Sequence, residues 1–419
     1  MLHLNFVKEN VELVKANLKK KHSDVNLVDE VLKLDENWRK LKKDNDVLRQ
    51  RRNELSKEIN LAKKEGKNAD ALLKEAKELP EKLVACDKIL DEEQGRIIYL
   101  LKRIPNIVHE SVPVGKDEND NEVVKVFGEK PEFSFNPKSH VDLLVDRKLI
   151  DLERASRLSG SRFYFLKGKF ALLEFAIMKY AVDFMSDRGF EFTIMPHMMT
   201  HKAYDGVVDV ETFEDTLFKI KGEDLFLIAT SEHPLTAQFN NDVLDEKSLP
   251  IKLVGYSPCY RKEAGAHGKD TKGIFRVKQF TKVEQIVLCK PEDSWTIHEE
   301  LKKNIEDFFD SLGLHFRTVV LCTGDFGMVP AKTYDVEVWM PVQNTFRETG
   351  SCSNCTSYQA VRSNIKYQKG QERDYVHTLN STCVASPRVL VAIVENFQNK
   401  KGEILIPKVL HKYCGFKKI

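Results

Sequence analysis

The fold of this 419-residue chain is decided by the stretch Cys259–Gln285, which reads CYRKEAGAHGKDTKGIFRVKQFTKVEQ. Arg261 and Glu263 stand two residues apart, as neighbours on one face of a strand do. After a loop rich in Gly, Lys and His, the chain returns through IFRVKQF, whose alternate side chains would also share a face. The stretch therefore predicts a β-hairpin with a cationic face.

The side chains of this hairpin suit a nucleotide, because guanidinium forks bind phosphate and an aromatic ring can stack on a base. The returning strand is predicted from the alternation of Ile274, Arg276, Lys278 and Phe280, and the loop from Gly265, Gly268 and Gly273. Residue types alone leave a solvated basic hairpin equally open, since charge runs usually mark exposed faces.

The hairpin sequence resembles motif 2 of the class II aminoacyl-tRNA synthetases, in the form found in seryl-tRNA synthetases. The shared features are an Arg-x-Glu pair, a glycine-punctuated loop and GIFRV-x-QF-x-K-x-E. The resemblance extends over almost the whole chain. It implies an α+β fold, with an N-terminal antiparallel two-helix coiled-coil arm and a catalytic domain built on a mostly antiparallel β-sheet flanked by helices.

Length and composition agree with a multidomain protein that carries a long solvated helical part. We expect an N-terminal tRNA-binding domain over 1–106 and a catalytic domain over 107–419, with a Pro- and Gly-punctuated linker over about 105–138. The net charge of +2 neither favours nor excludes nucleic acid. With no secretory signal, no apolar run long enough for a membrane and eight scattered cysteines, the sequence favours a cytoplasmic protein.

The arm is predicted from apolar residues that recur at alternating spacings of four and three over about 27–104. Asn45 and Arg52 fill two core positions of the first helix, and the break KKEGKNAD separates it from the second. Two such helices should form an antiparallel coiled coil roughly 50 to 55 Å long. Pro80 is expected to kink or open the second helix.

A basic cluster marks the first helix of the arm: Arg39, Lys40, Lys42, Lys43, Arg49, Arg51 and Arg52. The pattern alone favours a generic dimerising or solvated coil. The resemblance instead implies that this arm grips the long variable arm of tRNA(Ser), with the basic side chains neutralising backbone phosphates.

Three further segments resemble the family's other elements. Motif 1 is resembled by a strand, an amphipathic helix closed by Gly189 and a second strand before Pro196. The proline of that motif implies a homodimer interface. The segment NSTCVASPR resembles motif 3, whose arginine would be Arg388. Cys352 and Cys355 form a C-x2-C pair, but zinc is disfavoured because no second pair with ligand spacing follows.

The resemblance assigns the site residues. It implies that serine is bound by Thr230, Glu232, Arg261, Glu284, Asn380 and Thr382. It implies that ATP is bound by Arg261, Glu263, Arg276, Phe280, Glu348, Ser351 and Arg388. Arg261, Glu263 and Arg388 would be catalytic, and Glu348 with Ser351, predicted at a glycine-containing turn, would hold Mg²⁺.

Serine activation in this family adds the carboxylate to the α-phosphate of ATP, so positioning and fixed cations should supply most of the rate enhancement. Four positions depart from the family's usual pattern: Lys278, Ser357, Val361 and Ser381. They leave open a non-catalytic paralogue acting as an RNA-binding adaptor. A ligase that loads a carrier protein is disfavoured, because such relatives lack the arm.

Overall fold

The computed structural model describes residues 1–263 and 272–419. The chain divides into two compact units, Met1–Pro105 and Asn106–Ile419. Two loop positions named above, Gly265 and Gly268, lie outside the described residues. No helix in the described ranges is long and apolar enough to cross a membrane.

The N-terminal unit is helical. Its helices are α1 Leu4–Glu9, α2 Val11–Lys20, α3 Asn26–Lys64 and α4 Asp70–Leu101. The long helices α3 and α4 run antiparallel, because Asn45 bonds to Asp87 whereas Arg51, further along α3, bonds to Glu75, which precedes Asp87 in α4. The coiled-coil arm is confirmed. One detail was wrong, because Arg52 is exposed instead of filling the seam. Helix α4 continues through Pro80, and the kink expected there stays a prediction.

Most of the basic cluster on α3 is already ion-paired within the arm. Arg49 donates to both carboxylate oxygens of Asp87 at 2.8 and 2.9 Å, and Arg51 contacts Glu58 and Glu75. Arg39, Lys40 and Lys42 pair with acids four residues away on α3. Among the described residues, the side chains of Lys43 and Arg52 have no ion-pair partner, and both are exposed.

The described part of the second unit combines helices with four sheets. Its helices are α5 His140–Asp146, α6 Leu152–Ser159, α7 Gly168–Ser186, α8 His201–Val207, α9 Val210–Phe213, α10 Glu232–Ala237, α11 Ser294–Ser311, α12 Tyr358–Ser363, α13 Ser386–Asn396 and α14 His411–Cys414. Its strands are β1 Glu122–Phe127, β2 Ile150–Asp151, β3 Phe165–Leu166, β4 Glu191–Thr193, β5 Met198–Thr200, β6 Leu225–Leu227, β7 Val243–Asp245, β8 Ile251–Tyr260, β9 Gln279–Cys289, β10 Phe316–Val320, β11 Lys332–Met340, β12 Thr345–Asn354, β13 Lys366–Lys369, β14 Glu372–Tyr375 and β15 His377–Ala385.

The main sheet has eight strands in the order β1-β10-β11-β12-β15-β9-β8-β4. Every neighbouring pair is antiparallel except β4 with β8. The mostly antiparallel sheet is thus confirmed. Strand β1 lies within the segment predicted as a linker, so part of that segment belongs to the sheet.

The sheet is covered on both faces. On β9, Val283 and Val287 pack in the main core with helices α7, α11 and α13. The alternate residues Ile286 and Leu288 pack in a second cluster, which contains Leu235 of α10. A strand that is buried on both faces needs apolar residues on both, which explains the run IVLC in its second half.

The predicted hairpin is present, because β8 and β9 pair antiparallel from Ile251 to Tyr260. The return strand, however, begins at Gln279 and not at Ile274. The carbonyl of Lys278 still accepts from Arg261 N at 2.9 Å, but its N–H donates to Arg162 O at 2.9 Å and so turns away from the first strand. Residues 272–278 are therefore irregular, although the predicted site residue Arg276 lies within them.

Candidate active site

One pocket collects all of the residues predicted to bind serine or ATP. It encloses about 770 Å³, including space open to solvent at its mouth, and lies over strands β9, β12 and β15. The predicted residues in its lining are Thr230, Glu232, Arg261, Glu263, Arg276, Phe280, Glu284, Glu348, Ser351, Asn380, Thr382 and Arg388. It is also lined by Phe275, Val277, Lys282, Thr349, Gly350, Ala385 and Pro387.

Strand β9 supplies one wall of the pocket. Phe280, Lys282 and Glu284 alternate along it and therefore share a face. Gly255 on β8 lies opposite Glu284. A Cβ at Gly255 would stand 2.6 Å from Leu235 Cδ1. Because that Cβ is absent, helix α10, which begins at Glu232, can pack against the two strands.

A buried lysine that the sequence analysis did not assign connects several predicted serine ligands. Lys282 forms an ion pair with Glu284, and its Nζ donates to Thr230 Oγ1 at 2.6 Å. Thr382 Oγ1 donates to Glu284 Oε2 at 3.0 Å. Lys282 stands two residues after Phe280 and two before Glu284, and this strand spacing could have placed it on the pocket face.

The hydroxyl of Thr230 has its acceptor capacity filled. It accepts from Lys282 Nζ and from the backbone N–H of Glu232, the latter at 3.2 Å. A hydroxyl has two acceptor lone pairs and one O–H. To accept from a substrate ammonium, Thr230 would have to exchange one of these two bonds.

Glu232 is held by a residue that is distant in sequence. Gln359 Nε2 donates to Glu232 Oε1 at 2.9 Å, and Thr378 Oγ1 in turn donates to Gln359 Oε1 at 2.6 Å. Burial raises the pKa of Glu232, and the neighbouring Glu284 carboxylate raises it further. A cation placed beside Glu232 would offset both effects.

Arg261 projects from the end of β8. Its Nε donates to the carbonyl oxygen of Ala229 at 3.2 Å, and its guanidinium lies 5.3 Å from the centre of the Phe280 ring. The backbone N–H of Ala229 is itself bonded to the hydroxyl of Tyr204 at 3.0 Å. The guanidinium is therefore positioned by backbone, and no acid in residues 1–263 and 272–419 forms an ion pair with it.

Glu263 and Arg276 form an ion pair across the mouth of the hairpin. Arg276 Nη1 lies 3.0 Å from Glu263 Oε2, and the Nε of Arg276 is buried without a partner among the described residues. Binding of a triphosphate through Arg276 would require this pair to be exchanged or shared.

Glu348 and Ser351 lie within strand β12 and not at the predicted turn. Residues three apart on a regular strand point to opposite faces. Here Val336 of β11 is opposite Gly350 while Glu337 is opposite Glu348, so Thr349 is the extra residue of a β-bulge. The bulge brings both side chains of the pair to the pocket.

The bulge is fixed by its own residues. Thr349 Oγ1 donates to Val336 O at 3.0 Å. A Cβ at Gly350 would lie 2.7 Å from Ile305 Cδ1 and 3.0 Å from Thr382 O. Glycine is thus required by close packing between β12, α11 and β15.

Arg388 is the third residue of helix α13, is half-buried and reaches Glu348. Its Nη1 lies 2.9 Å from Glu348 O and 3.0 Å from Glu348 Oε1. The Arg388 guanidinium holds the pKa of Glu348 below its usual value. The arginine of motif 3 and the E-x-x-S pair therefore meet on one side of the pocket.

Predicted features outside the pocket give less evidence about function than the pocket does. Cys352 and Cys355 are buried free thiols, and burial raises the pKa of both. Across residues 1–263 and 272–419, no cluster of three or more His, Cys, Asp or Glu side chains could hold a metal ion. The four departures from the family pattern are all absent from the pocket lining: Lys278, Ser357, Val361 and Ser381.

Two family models match the chain. One, described as the seryl-tRNA synthetase N-terminal domain, matches residues 1–108, and one described as the tRNA synthetase class II core domain (G, H, P, S and T) matches 213–397. A serine–tRNA ligase of Methanocella arvoryzae is 48% identical over 420 residues, covering 99% of each chain. That of Pyrococcus horikoshii is 45% identical over 443 residues, covering 100% of this chain and 97% of its own.

Solved structures agree with these relatives. The seryl-tRNA synthetase from Pyrococcus horikoshii complexed with ATP superposes with a TM-score of 0.93 at 44% identity, covering 100% of this chain and 99% of its own. The cytoplasmic serine–tRNA ligase from Naegleria fowleri in complex with AMP gives 0.89 at 33% identity, covering 100% and 98%. The chain belongs to the seryl-tRNA synthetase family of the class II aminoacyl-tRNA synthetases.

Proposed function

We infer that this enzyme attaches L-serine to tRNA(Ser) in two ATP-dependent steps, through seryl-adenylate and then transfer to the 3′-terminal adenosine. The observation that carries the inference is the single pocket in which every predicted serine and ATP ligand lies. A non-catalytic adaptor would not need to keep all of these positions, and none of the four departures lines the pocket.

The serine would lie beside strands β9 and β15. Its ammonium would be bound by Glu232 and by Thr230, after exchange of a Thr230 bond, and its carboxylate by Arg261. Its hydroxyl would donate to Glu284 and accept from Thr382, whose O–H would exchange its present bond to Glu284 for one to the substrate. Asn380 completes this wall of the pocket. A site built to pair a hydroxyl rejects alanine, because the unpaired polar groups left behind cost free energy.

ATP would lie under the hairpin. Phe280 would stack on the adenine and Glu263 would hold its polar edge, while Arg276 and Arg388 would bind the terminal phosphates. Arg261 would bridge the substrate carboxylate and the α-phosphate, so that the attacking oxygen is aligned and the charge on the phosphate oxygens is stabilised. No protein nucleophile takes part.

Glu348 and Ser351 fit a magnesium ion that is shared with the phosphates. The bulge at Thr349 turns a carboxylate and a hydroxyl to the same pocket, and oxygen ligands are what Mg²⁺ prefers. Mg²⁺ usually takes only one or two protein oxygens beside substrate phosphates. When bound, the ion would neutralise phosphate charge.

The arm would bind the long variable arm of tRNA(Ser). This role of the arm is supported by Lys43 and Arg52, whose exposed basic side chains have no ion-pair partner in the described residues. Arg49 and Arg51 cross-link the two helices instead, so their contribution to RNA binding would have to compete with Asp87 and Glu75. Phosphate contacts of this kind give salt-dependent affinity.

A homodimer would form through the region around Pro196. Large apolar side chains are exposed on α7 and on the stretch from β4 to β5, which includes this proline: Leu172, Phe175, Phe192, Ile194 and Met198. Phe175 is 73% exposed and Ile194 72%. Such a concentration of exposed apolar residues marks an interaction surface.

With its free thiols, the protein is proposed to act in the cytoplasm.

Charging of tRNA(Ser) tests the function directly. Purified enzyme with ATP, Mg²⁺ and labelled serine should charge a tRNA(Ser) transcript, and charge a transcript without the long variable arm far more weakly. The Arg261→Ala variant should lose adenylate formation while its melting temperature changes little, because its expected partners are substrate atoms. Equal charging of both transcripts would contradict the role of the arm.

A further inference from the structure

We propose that Lys282 is a positioning residue for serine selection: its ammonium holds one oxygen of the buried Glu284 carboxylate and so orients the other oxygen as the acceptor for the substrate hydroxyl. This inference rests on the proposed function of the pocket. It assigns a role to a side chain that touches two expected serine ligands and is itself 5% exposed.

The position of Lys282 suits this role. Its Nζ contacts Thr230 Oγ1 and Glu284 Oε2, which come from different parts of the chain. Thr382 also donates to Oε2 of Glu284. Both contacts to the carboxylate therefore use one oxygen, and in the described part of the chain no hydrogen bond or ion pair engages Oε1. The Lys282 ammonium on Oε2 orients the carboxylate and leaves Oε1 for a donor on the substrate, also when the Thr382 hydroxyl turns to the substrate.

The charges of the pocket require a cation at this place. Glu284 is buried and lies close enough to Glu232 for its carboxylate to raise the pKa of Glu232. Serine as a zwitterion adds one charge of each sign, with its ammonium beside Glu232 and its carboxylate beside Arg261. Lys282 then balances the second carboxylate. Without it, the loaded pocket would hold one unpaired buried negative charge, which is costly.

A neutralised Glu284 would be a poorer acceptor. An ionised carboxylate only accepts hydrogen bonds, whereas a protonated one also carries a donor. Other groups around Glu284 do not replace the lysine. The titratable or charged ones are Glu232 on α10, Arg261 after β8, and the thiols of Cys259, Cys352 and Cys383. Burial raises the pKa of all three thiols, so they remain neutral.

The test compares Lys282→Met with the native enzyme in amino-acid-dependent ATP–pyrophosphate exchange between pH 6 and pH 9. Methionine keeps most of the volume and removes the charge. We expect kcat/KM for serine at pH 7 to fall by about tenfold or more, mainly through KM for serine, because a charge-assisted bond is lost. KM for ATP should change little, and kcat/KM for alanine should change less than that for serine.

The pH profile separates this role from a structural one. The charge of Lys282 lowers the pKa of Glu232, so in Lys282→Met the pocket would take up a proton more readily and activity with serine should recover as the pH rises. The native enzyme should not show that recovery. A pH-independent loss that is equal for serine and alanine would overturn the proposal.

Two further variants control for folding. Lys252→Met removes a lysine of the adjacent strand β8 that pairs with Glu300 at 2.7 Å, away from the pocket, and should leave serine selectivity unchanged. In a Glu284→Gln background there is no charge to balance, so adding Lys282→Met should cost little more in serine kcat/KM. Fully additive losses would contradict the coupling.

The same assays distinguish a failure of this proposal from a failure of the proposed function on which it rests. If the native enzyme shows no serine-dependent exchange, the proposed function fails. If it shows exchange and Lys282→Met retains native selectivity and pH profile, only the role of Lys282 fails.

Discussion

Replacing Thr382 by valine should weaken the discrimination between serine and alanine. The two side chains have nearly the same shape, and a β-branched residue suits strand β15. The change removes one hydroxyl, which donates to Glu284 Oε2 at 3.0 Å in a buried setting. A buried substrate hydroxyl that loses its partner costs about 1 to 3 kcal/mol. We therefore expect a loss of about five- to 150-fold in the ratio of kcat/KM values for serine and alanine.

The assay is pyrophosphate exchange with serine and with alanine, measured on the same preparation. Alanine makes no bond with the hydroxyl-binding side chains, so its kcat/KM should stay nearly constant while that of serine falls. Thr333→Val is the matched control, because Thr333 is a buried strand threonine that bonds to Ser353 at 2.9 Å outside the pocket. An unchanged serine-to-alanine ratio in Thr382→Val would refute the assignment.

Three other predictions concern the arm, the dimer and the response to pH. Replacing Lys43 and Arg52 by alanine should reduce the slope of log tRNA affinity against log salt by roughly 0.7 to 0.9 per residue, while pyrophosphate exchange is retained; an unchanged slope places the RNA elsewhere. Phe175→Asp should give a monomer in sedimentation, and a native-size particle would exclude this surface. Burial lowers the pKa of His298 and of His377 to about 4, below the usual value near 6.5. Unfolding therefore takes up protons between pH 6.5 and pH 4, and the free energy of unfolding falls as the pH drops through this range, by up to about 1.4 kcal/mol per pH unit for each histidine. His298→Asn should flatten the stability–pH curve measured by urea unfolding, and an equally steep curve would contradict this.

The sequence contained enough to predict the arm and the hairpin, because their signals were local. The two helices keep their heptad packing at the fully buried Asn45, because Asp87 and Arg49 form hydrogen bonds with its side-chain amide. Pro80 did not break α4. An exposed proline on a helix that packs along its whole length loses one hydrogen bond, which the packing can outweigh.

The details of the pocket that were missed depend on register or on distant residues. The period of two could have placed Lys282 beside Glu284. The bulge at Thr349 could not be foreseen, because it is a property of the pairing between β11 and β12. Gln359 stands 127 residues from the carboxylate of Glu232 that it holds, and no local pattern joins two such positions.

The central claim is that this pocket activates serine. Amino-acid-dependent ATP–pyrophosphate exchange by the purified native enzyme, measured in parallel with serine, alanine, threonine and glycine, tests it most directly. We expect rapid exchange with serine and rates with the other three that are lower by at least about tenfold. A folded, ATP-binding preparation without serine-dependent exchange would contradict the claim.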